Sequence, residues 1–106
     1  MAGITIKGMA HITGGGLIDN LPRILPPGVA AHLRWENWSV PPIFHLIQRL
    51  GNSEAEEMAR TFNLGLGLLL VVSAGQLDQA LSRLGDQAWA VGQIIPEDSG
   101  PRVRIS

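Results

Sequence analysis

The segment His11-Ile12-Thr13-Gly14-Gly15-Gly16 runs an apolar strand directly into three consecutive glycines. Glycine adopts positive φ at little steric cost and lets other atoms approach the main chain, at an entropic cost on folding. Three in a row imply that the backbone itself is used, either to turn tightly or to present N–H groups to an anion. Upstream, Ile4 to Ile12 alternates loosely between apolar and polar positions, which predicts a strand ending at the glycines. Downstream, Leu17, Leu21, Ile24 and Leu25 fall at helical spacing. Pro22 limits them to one or two turns, because proline removes a backbone donor.

Further along, Pro26-Pro27-Gly28 marks a loop and Val29 to Trp35 reads as a second strand. Pro41-Pro42 suits the first turn of a helix with Ile43, Ile47 and Leu50 on one face and Gly51 just past its end. Ser53-Glu54-Ala55-Glu56 fits a capping box, and Ala55, Met58 and Phe62 give the next helix an apolar face. Gly65 to Val72 is almost wholly apolar, which predicts a strand covered on both faces and makes it the candidate central strand. Ser73-Ala74-Gly75-Gln76 is a second capping-box pattern, opening a helix with Leu77, Ala80, Leu81 and Leu84 inward and Gly85 as its stop. Trp89 to Ile95 reads as a strand, and Arg102 to Ile105 as a last edge strand or a frayed tail. This order, without an internal repeat, predicts one α/β or α+β domain over residues 1–106, a layered sheet with packed helices.

Hydrophobic residues make up 45% of the chain and charged residues 16%, against roughly 25% charged in ordinary soluble domains. That leaves more apolar surface than a small monomer hides easily, which points to a partner surface or to missing neighbours. A net charge of −1, with Lys7 the only lysine, provides no basic stripe, so no nucleic-acid partner is expected. No apolar run approaches the roughly 18 residues of a membrane span, and no charged n-region precedes an apolar h-region. A cytoplasmic protein without a membrane partner is the expectation. Absence of cysteine excludes disulfides, thiolate metal sites and cysteine nucleophiles. His32 and His45 lack metal-ligand spacing, so no metal site is expected. Ser53 and Ser73 are accounted for as caps, and no triad or carboxylate dyad can be argued from spacing. No catalytic residue is assigned.

Two constellations remain. The glycine run, with Thr13 adding a hydroxyl, matches neither the P-loop nor the dinucleotide fingerprint, which leaves anion binding and a purely conformational role both open. His11 beside it reads as a packed strand histidine or as a chemical group. In Glu56 to Gly67, one reading is a helix terminus, with Arg60 complementing the dipole and Asn63 or Gly65 in the left-handed conformation. The other places Arg60, Thr61 and Asn63 at a cleft that holds an anionic group. Trp35 and Trp38 flank Glu36 and form either a stacking edge or a packed pair.

Taken together, Gly8-Met9-Ala10-His11-Ile12-Thr13-Gly14-Gly15-Gly16-Leu17, Asn20 to Pro26, Glu57 to Gly67 and Ala88-Trp89-Ala90-Val91-Gly92 resemble the C-terminal domain of the aminoimidazole ribonucleotide synthetases, or phosphoribosylformylglycinamidine cyclo-ligases. Fold relatives such as selenophosphate synthetase, the hydrogenase maturation protein of this superfamily and formylglycinamidine ribonucleotide synthetase carry different residues around the corresponding glycines. The resemblance implies an α/β layered domain, truncated at its N-terminus, from an enzyme of purine biosynthesis. That enzyme uses ATP and magnesium to phosphorylate the amide oxygen of formylglycinamidine ribonucleotide, and a nitrogen then displaces phosphate to close the imidazole.

An absent N-terminal domain would supply most of the ATP and metal contacts, so the chain alone is expected to bind neither cofactor and to be inactive. Thr13, Gly14, Gly15 and Gly16 would line the cleft and hold a substrate or nucleotide phosphate, with His11, Arg60, Thr61 and Asn63 as neighbours. Gln93 stands where relatives often have glutamate and receives no role. Val29 to Asn52 matches only loosely. The rival reading is a non-catalytic interaction or oligomerisation module, a homo-oligomer formed through an exposed sheet edge or apolar surface.

Overall fold

A computed structural model describes residues 3–106, so the first two residues of the expected domain lie outside it. In chain order the elements are β1 (Gly8–His11), α1 (Gly16–Asn20), β2 (Val29–Leu33), α2 (Pro42–Gly51), α3 (Ala55–Thr61), β3 (Leu68–Val71), α4 (Leu77–Leu84), β4 (Gly92–Pro96) and β5 (Val103–Ile105). The mixed α/β class is the one the sequence predicts. Pro22 acts as expected: α1 stops at Asn20 and the chain tightens into a 3-10 turn over Leu21–Ile24.

The strands form two sheets. β1 and β3 pair antiparallel, with Gly8 opposite Val71 and His11 opposite Leu68. β2 lies between β4 and β5, antiparallel to the first and parallel to the second. The central strand is therefore β2 and not the Gly65 to Val72 run. β3 pairs with β1 alone among the described strands, and Leu68 is 52% exposed. An apolar run records that a strand can be buried on both faces; it does not say which element does the burying.

Several local expectations change in the same way. Ser53 and Ser73 make no side-chain cap, and α3 starts from Glu54 instead. Gln76 is used differently: its amide donates to the Gly3 carbonyl and its oxygen accepts the Thr5 N–H, tying the start of the chain to α4. Gly51 is the last residue of α2, and Asn52 takes the left-handed position after it at φ +50°. On α2, Phe44 and Ile47 pack on the core while Ile43 and Leu50 face solvent. Trp89 to Val91 precede β4, which begins at Gly92, where a side chain would collide with the His32 carbonyl oxygen. The last segment is an edge strand, β5.

The core gathers Ile12, Leu17, Leu33, Met58, Leu64, Leu69 and Val103 between these sheets and helices. Leu17 is fully buried where α1 packs on α3, so the glycine loop and the α3 terminus are brought to one place by the burial of that side chain. No helix is long and apolar enough to cross a membrane among the described residues.

Candidate glycine-loop site

Gly15 and Gly16 both have positive φ, +97° and +62°. At Gly16 the main chain presses against the end of α3: a Cβ there would overlap the Ala59 carbonyl oxygen and lie 2.7 Å from that of Phe62. Only glycine fits both the conformation and the space. Gly14 is surrounded by open space, and a Cβ on it would meet nothing within 4 Å. One glycine of the three thus serves packing and another faces outward.

A residue outside both sequence constellations organises the loop. Asn20 is buried, and its Nδ2 donates to the carbonyls of Thr13 (3.2 Å), Gly14 (3.2 Å) and Gly16 (2.8 Å). Its Oδ1 accepts the Thr13 hydroxyl at 3.1 Å. Two amide hydrogens serve three carbonyls, so at least one is shared. In a planar trans peptide the C=O of one residue and the N–H of the next point in opposite directions, and no peptide bond here is cis. Drawing the Thr13 and Gly14 carbonyls toward Asn20 therefore turns the N–H groups of Gly14 and Gly15 away from it. Neither finds an acceptor among the described residues. The Gly16 N–H closes back on the Thr13 carbonyl at 3.0 Å and is not available.

Arg60 joins this loop through Asp19, its guanidinium lying 3.4 Å from the Asp19 carboxylate and 3.4 Å from that of Glu56. Arg60 and Asp19 are about half exposed and Glu56 more so, so both pairs orient the guanidinium without contributing much stability. Thr61 and Asn63 are committed locally: the Thr61 hydroxyl donates to the Glu57 carbonyl and the Asn63 oxygen accepts the Gly65 N–H. His11 is exposed at the end of β1. Of the expected group, Thr13, Gly14, Gly15, Gly16 and Arg60 converge, while Thr61 and Asn63 shape the chain after α3.

That turn uses a residue the sequence did not flag. Leu64 and Gly65 hold positive φ, +55° and +95°, and Asn63 does not. A side chain at Gly65 would lie 2.6 Å from the Pro41 ring. Trp38 explains how Leu64 is held, since its buried indole N–H donates to the Leu64 carbonyl at 3.2 Å. Trp35 and Trp38 pack together with ring centres 5.3 Å apart. A buried amide or indole donor could have been sought in sequence only by asking which polar side chain sits within reach of each glycine turn.

Magnesium wants several oxygen ligands in near-octahedral array. Asp19 and Glu56 both face Arg60, and no group of three or more His, Asp or Glu capable of holding a metal occurs among the described residues. The residues present do not fit a resident magnesium. What the loop offers is neutral hydrogen-bond donors beside one guanidinium.

Fold and site together define a mixed α/β domain built around a strand-to-helix glycine turn, clamped by an amide from within and backed by the end of a second helix. Residues 1–104 match the family described as AIR synthase related protein, C-terminal domain, and the chain belongs to that family. It is 49% identical over 100 residues to a phosphoribosylformylglycinamidine cyclo-ligase of Thermoanaerobacter sp. (strain X514), covering 92% of this chain and 30% of that protein. The like-named protein of Symbiobacterium thermophilum is 50% identical over 109 residues, covering 99% of this chain and 31% of the relative. That of Bordetella pertussis is 48% identical over 101 residues, with coverage of 92% and 29%. The chain thus spans about 30% of the length of the curated relatives it matches. The resemblance drawn from the glycine run and the Arg60 to Gly67 block is borne out at the level of the family.

Proposed function

We propose that this chain contributes one wall of the active site of an ATP-dependent cyclo-ligase, which closes the imidazole ring of formylglycinamidine ribonucleotide in purine biosynthesis. The observation that carries this reading is the identity of about half over nearly the whole chain to proteins of that name. In this role the outward N–H groups of Gly14 and Gly15 receive a phosphate of the substrate or the nucleotide. The Thr13 hydroxyl stays on Asn20 and fixes the loop, and Arg60 supplies the nearby positive charge. Neutral N–H donors on a preformed loop suit a phosphate because they need no reorganisation when it arrives. ATP and magnesium are assigned to the part of the relatives outside the matched segment. Phosphoryl transfer needs nucleotide, metal and substrate positioned together, so the chain alone is expected to be inactive.

The test is a chimera in which this chain replaces the matched segment of the Thermoanaerobacter protein. ATP-dependent ring closure by the chimera, and none by the free chain, is the expected outcome. A folded chimera without that activity counts against the reading. The phosphate role is checked separately by titrating the free chain with inorganic phosphate and following backbone amide resonances. Gly14 and Gly15 should move while Gly16 does not; shifts elsewhere but not at this loop would remove the assignment.

A further inference from the structure

The glycine loop already has an anion beside it, and that anion belongs to the chain. The Asp19 N–H donates to the Gly15 carbonyl at 3.2 Å, which brings the first turn of α1 back against the loop. A Cβ at Gly15 would lie 2.8 Å from the Asp19 Cβ and 3.1 Å from its Oδ2. The space left by the missing Gly15 side chain is therefore flanked by a carboxylate. Its other oxygen, Oδ1, lies 3.4 Å from Arg60 Nη1, while Arg60 Nη2 lies 3.4 Å from Glu56 Oε1. Both ends of the guanidinium fork are thus engaged by carboxylates. Two carboxylates against one guanidinium leave a net negative charge beside the outward N–H groups of Gly14 and Gly15.

That balance opposes an incoming anion for as long as it lasts. Tight charge-assisted bonds between guanidinium and carboxylate run at about 2.7–2.9 Å. At 3.4 Å, with Arg60 45% and Asp19 47% exposed, the Asp19 pair is loose and costs little to open. Arginine grips a phosphate best through two parallel N–H donors, and Arg60 cannot present that fork while Asp19 and Glu56 each hold one end of it. Glu56 lies one turn back along α3, so Asp19 is the carboxylate that a group at Gly14 and Gly15 meets. Resting on the phosphate role proposed for the loop, we infer that Asp19 is an internal competitor for that phosphate: its carboxylate holds Arg60 and flanks Gly15 until a phosphate group displaces it, and Arg60 then passes from Asp19 to the ligand. Asp19 is thus a positioning residue that acts through Arg60. It lowers the affinity for phosphate while the loop geometry, fixed by Asn20, stays as it is.

The experiment is a titration of the free chain with inorganic phosphate, read at the Gly14 and Gly15 amide resonances, in a double-mutant cycle of Asp19→Asn and Arg60→Gln. Asp19→Asn should tighten binding by about two- to fivefold, the range over which releasing one exposed ion pair moves an equilibrium. In the Arg60→Gln background that gain should fall to roughly half or less, because no guanidinium remains to be released. Asp19→Ala should act in the same direction, which guards against an asparagine amide that donates to the phosphate itself. An equal gain in both backgrounds assigns the effect to repulsion at a distance and overturns the competition. Weaker binding by Asp19→Asn makes the carboxylate a support for Arg60 and overturns it too; in either case the phosphate role of the loop stands. No response at Gly14 and Gly15 in any protein of the cycle removes both. Ribose 5-phosphate and ADP, titrated in the same way, distinguish a substrate-like monoester from a nucleotide as the source of the group. The one that moves the loop should be tightened by Asp19→Asn as inorganic phosphate is, and a gain confined to inorganic phosphate overturns the inference. A gain that depends on Arg60, found beside a chimera without ring closure, supports the competition while removing the functional reading.

Discussion

Replacing Asn20 should unfasten the glycine loop and destabilise the whole domain. Asn20→Ala deprives the Thr13, Gly14 and Gly16 carbonyls and the Thr13 hydroxyl of their partner. Those facing water recover hydrogen bonds at little net loss, whereas the 2.8 Å bond to the Gly16 carbonyl is buried and is lost outright, leaving that carbonyl its place in the α1 backbone ladder alone. A net bond contributes about 0.5–1.5 kcal/mol, so the expected loss over this group of bonds is about 1–3 kcal/mol. At roughly 4–8 °C per kcal/mol for a domain near this size, the thermal midpoint should fall by roughly 5 °C or more.

Asn20→Asp separates the donor from the space it fills. A carboxylate there would face three carbonyl oxygens, which disfavours its charged form and raises its pKa in the fold. The folded state then binds more protons than the unfolded one, so stability falls as pH rises above the unfolded value of about 3.9 and continues to fall through the raised folded value. The aspartate variant should thus come closest to the parent in acid and diverge toward neutrality, whereas the alanine variant shows a constant deficit. Urea denaturation followed by tryptophan fluorescence at several pH values measures both. An alanine variant within about 0.5 kcal/mol of the parent would refute the assignment of Asn20 as the internal clamp.

Gly16→Ala should cost about 2–4 kcal/mol, because it combines positive φ with overlap on α3 carbonyls; Gly14→Ala, in open space, should stay within about 1 kcal/mol in the same denaturation assay. Trp38→Phe keeps one aromatic ring but strands the Leu64 carbonyl and leaves part of the buried indole's space unfilled, with an expected loss of about 2–4 kcal/mol. Side-chain NMR should show Asp98 titrating below the usual carboxylate range, held there first by the Gly100 N–H and then by Arg104. Its folded pKa is depressed, so its contribution is present above the unfolded value of about 3.9 and is lost as pH falls from there through the lowered folded value. A midpoint at or above the ordinary aspartate value would remove the Asp98–Gly100–Arg104 arrangement from the β4–β5 loop.

Where a structural feature depends on one residue's own backbone preference, it is legible in the sequence. Pro22 ending α1, Gly85 ending α4 and Gly65 in a left-handed turn are cases. Features that depend on what arrives from elsewhere in the chain are not. Ser53 and Ser73 have the right type and spacing for caps, yet their hydroxyls are not used so. Leu64 adopts positive φ against its own preference because Trp38, distant in sequence, holds its carbonyl. β3 has the composition of a central strand and sits in a two-stranded pair.

The glycine run shows the distinction within three residues. In sequence, a conformational turn and a row of anion donors stand as alternatives. Peptide planarity makes them compatible, because carbonyls gathered inward by Asn20 necessarily turn the following N–H groups outward. Gly16 meets the conformational demand and packs on α3, while Gly14 and Gly15 carry the exposed donors. A sequence pattern registers that the backbone is in use. Which face of each peptide is used depends on an asparagine side chain that no glycine motif contains.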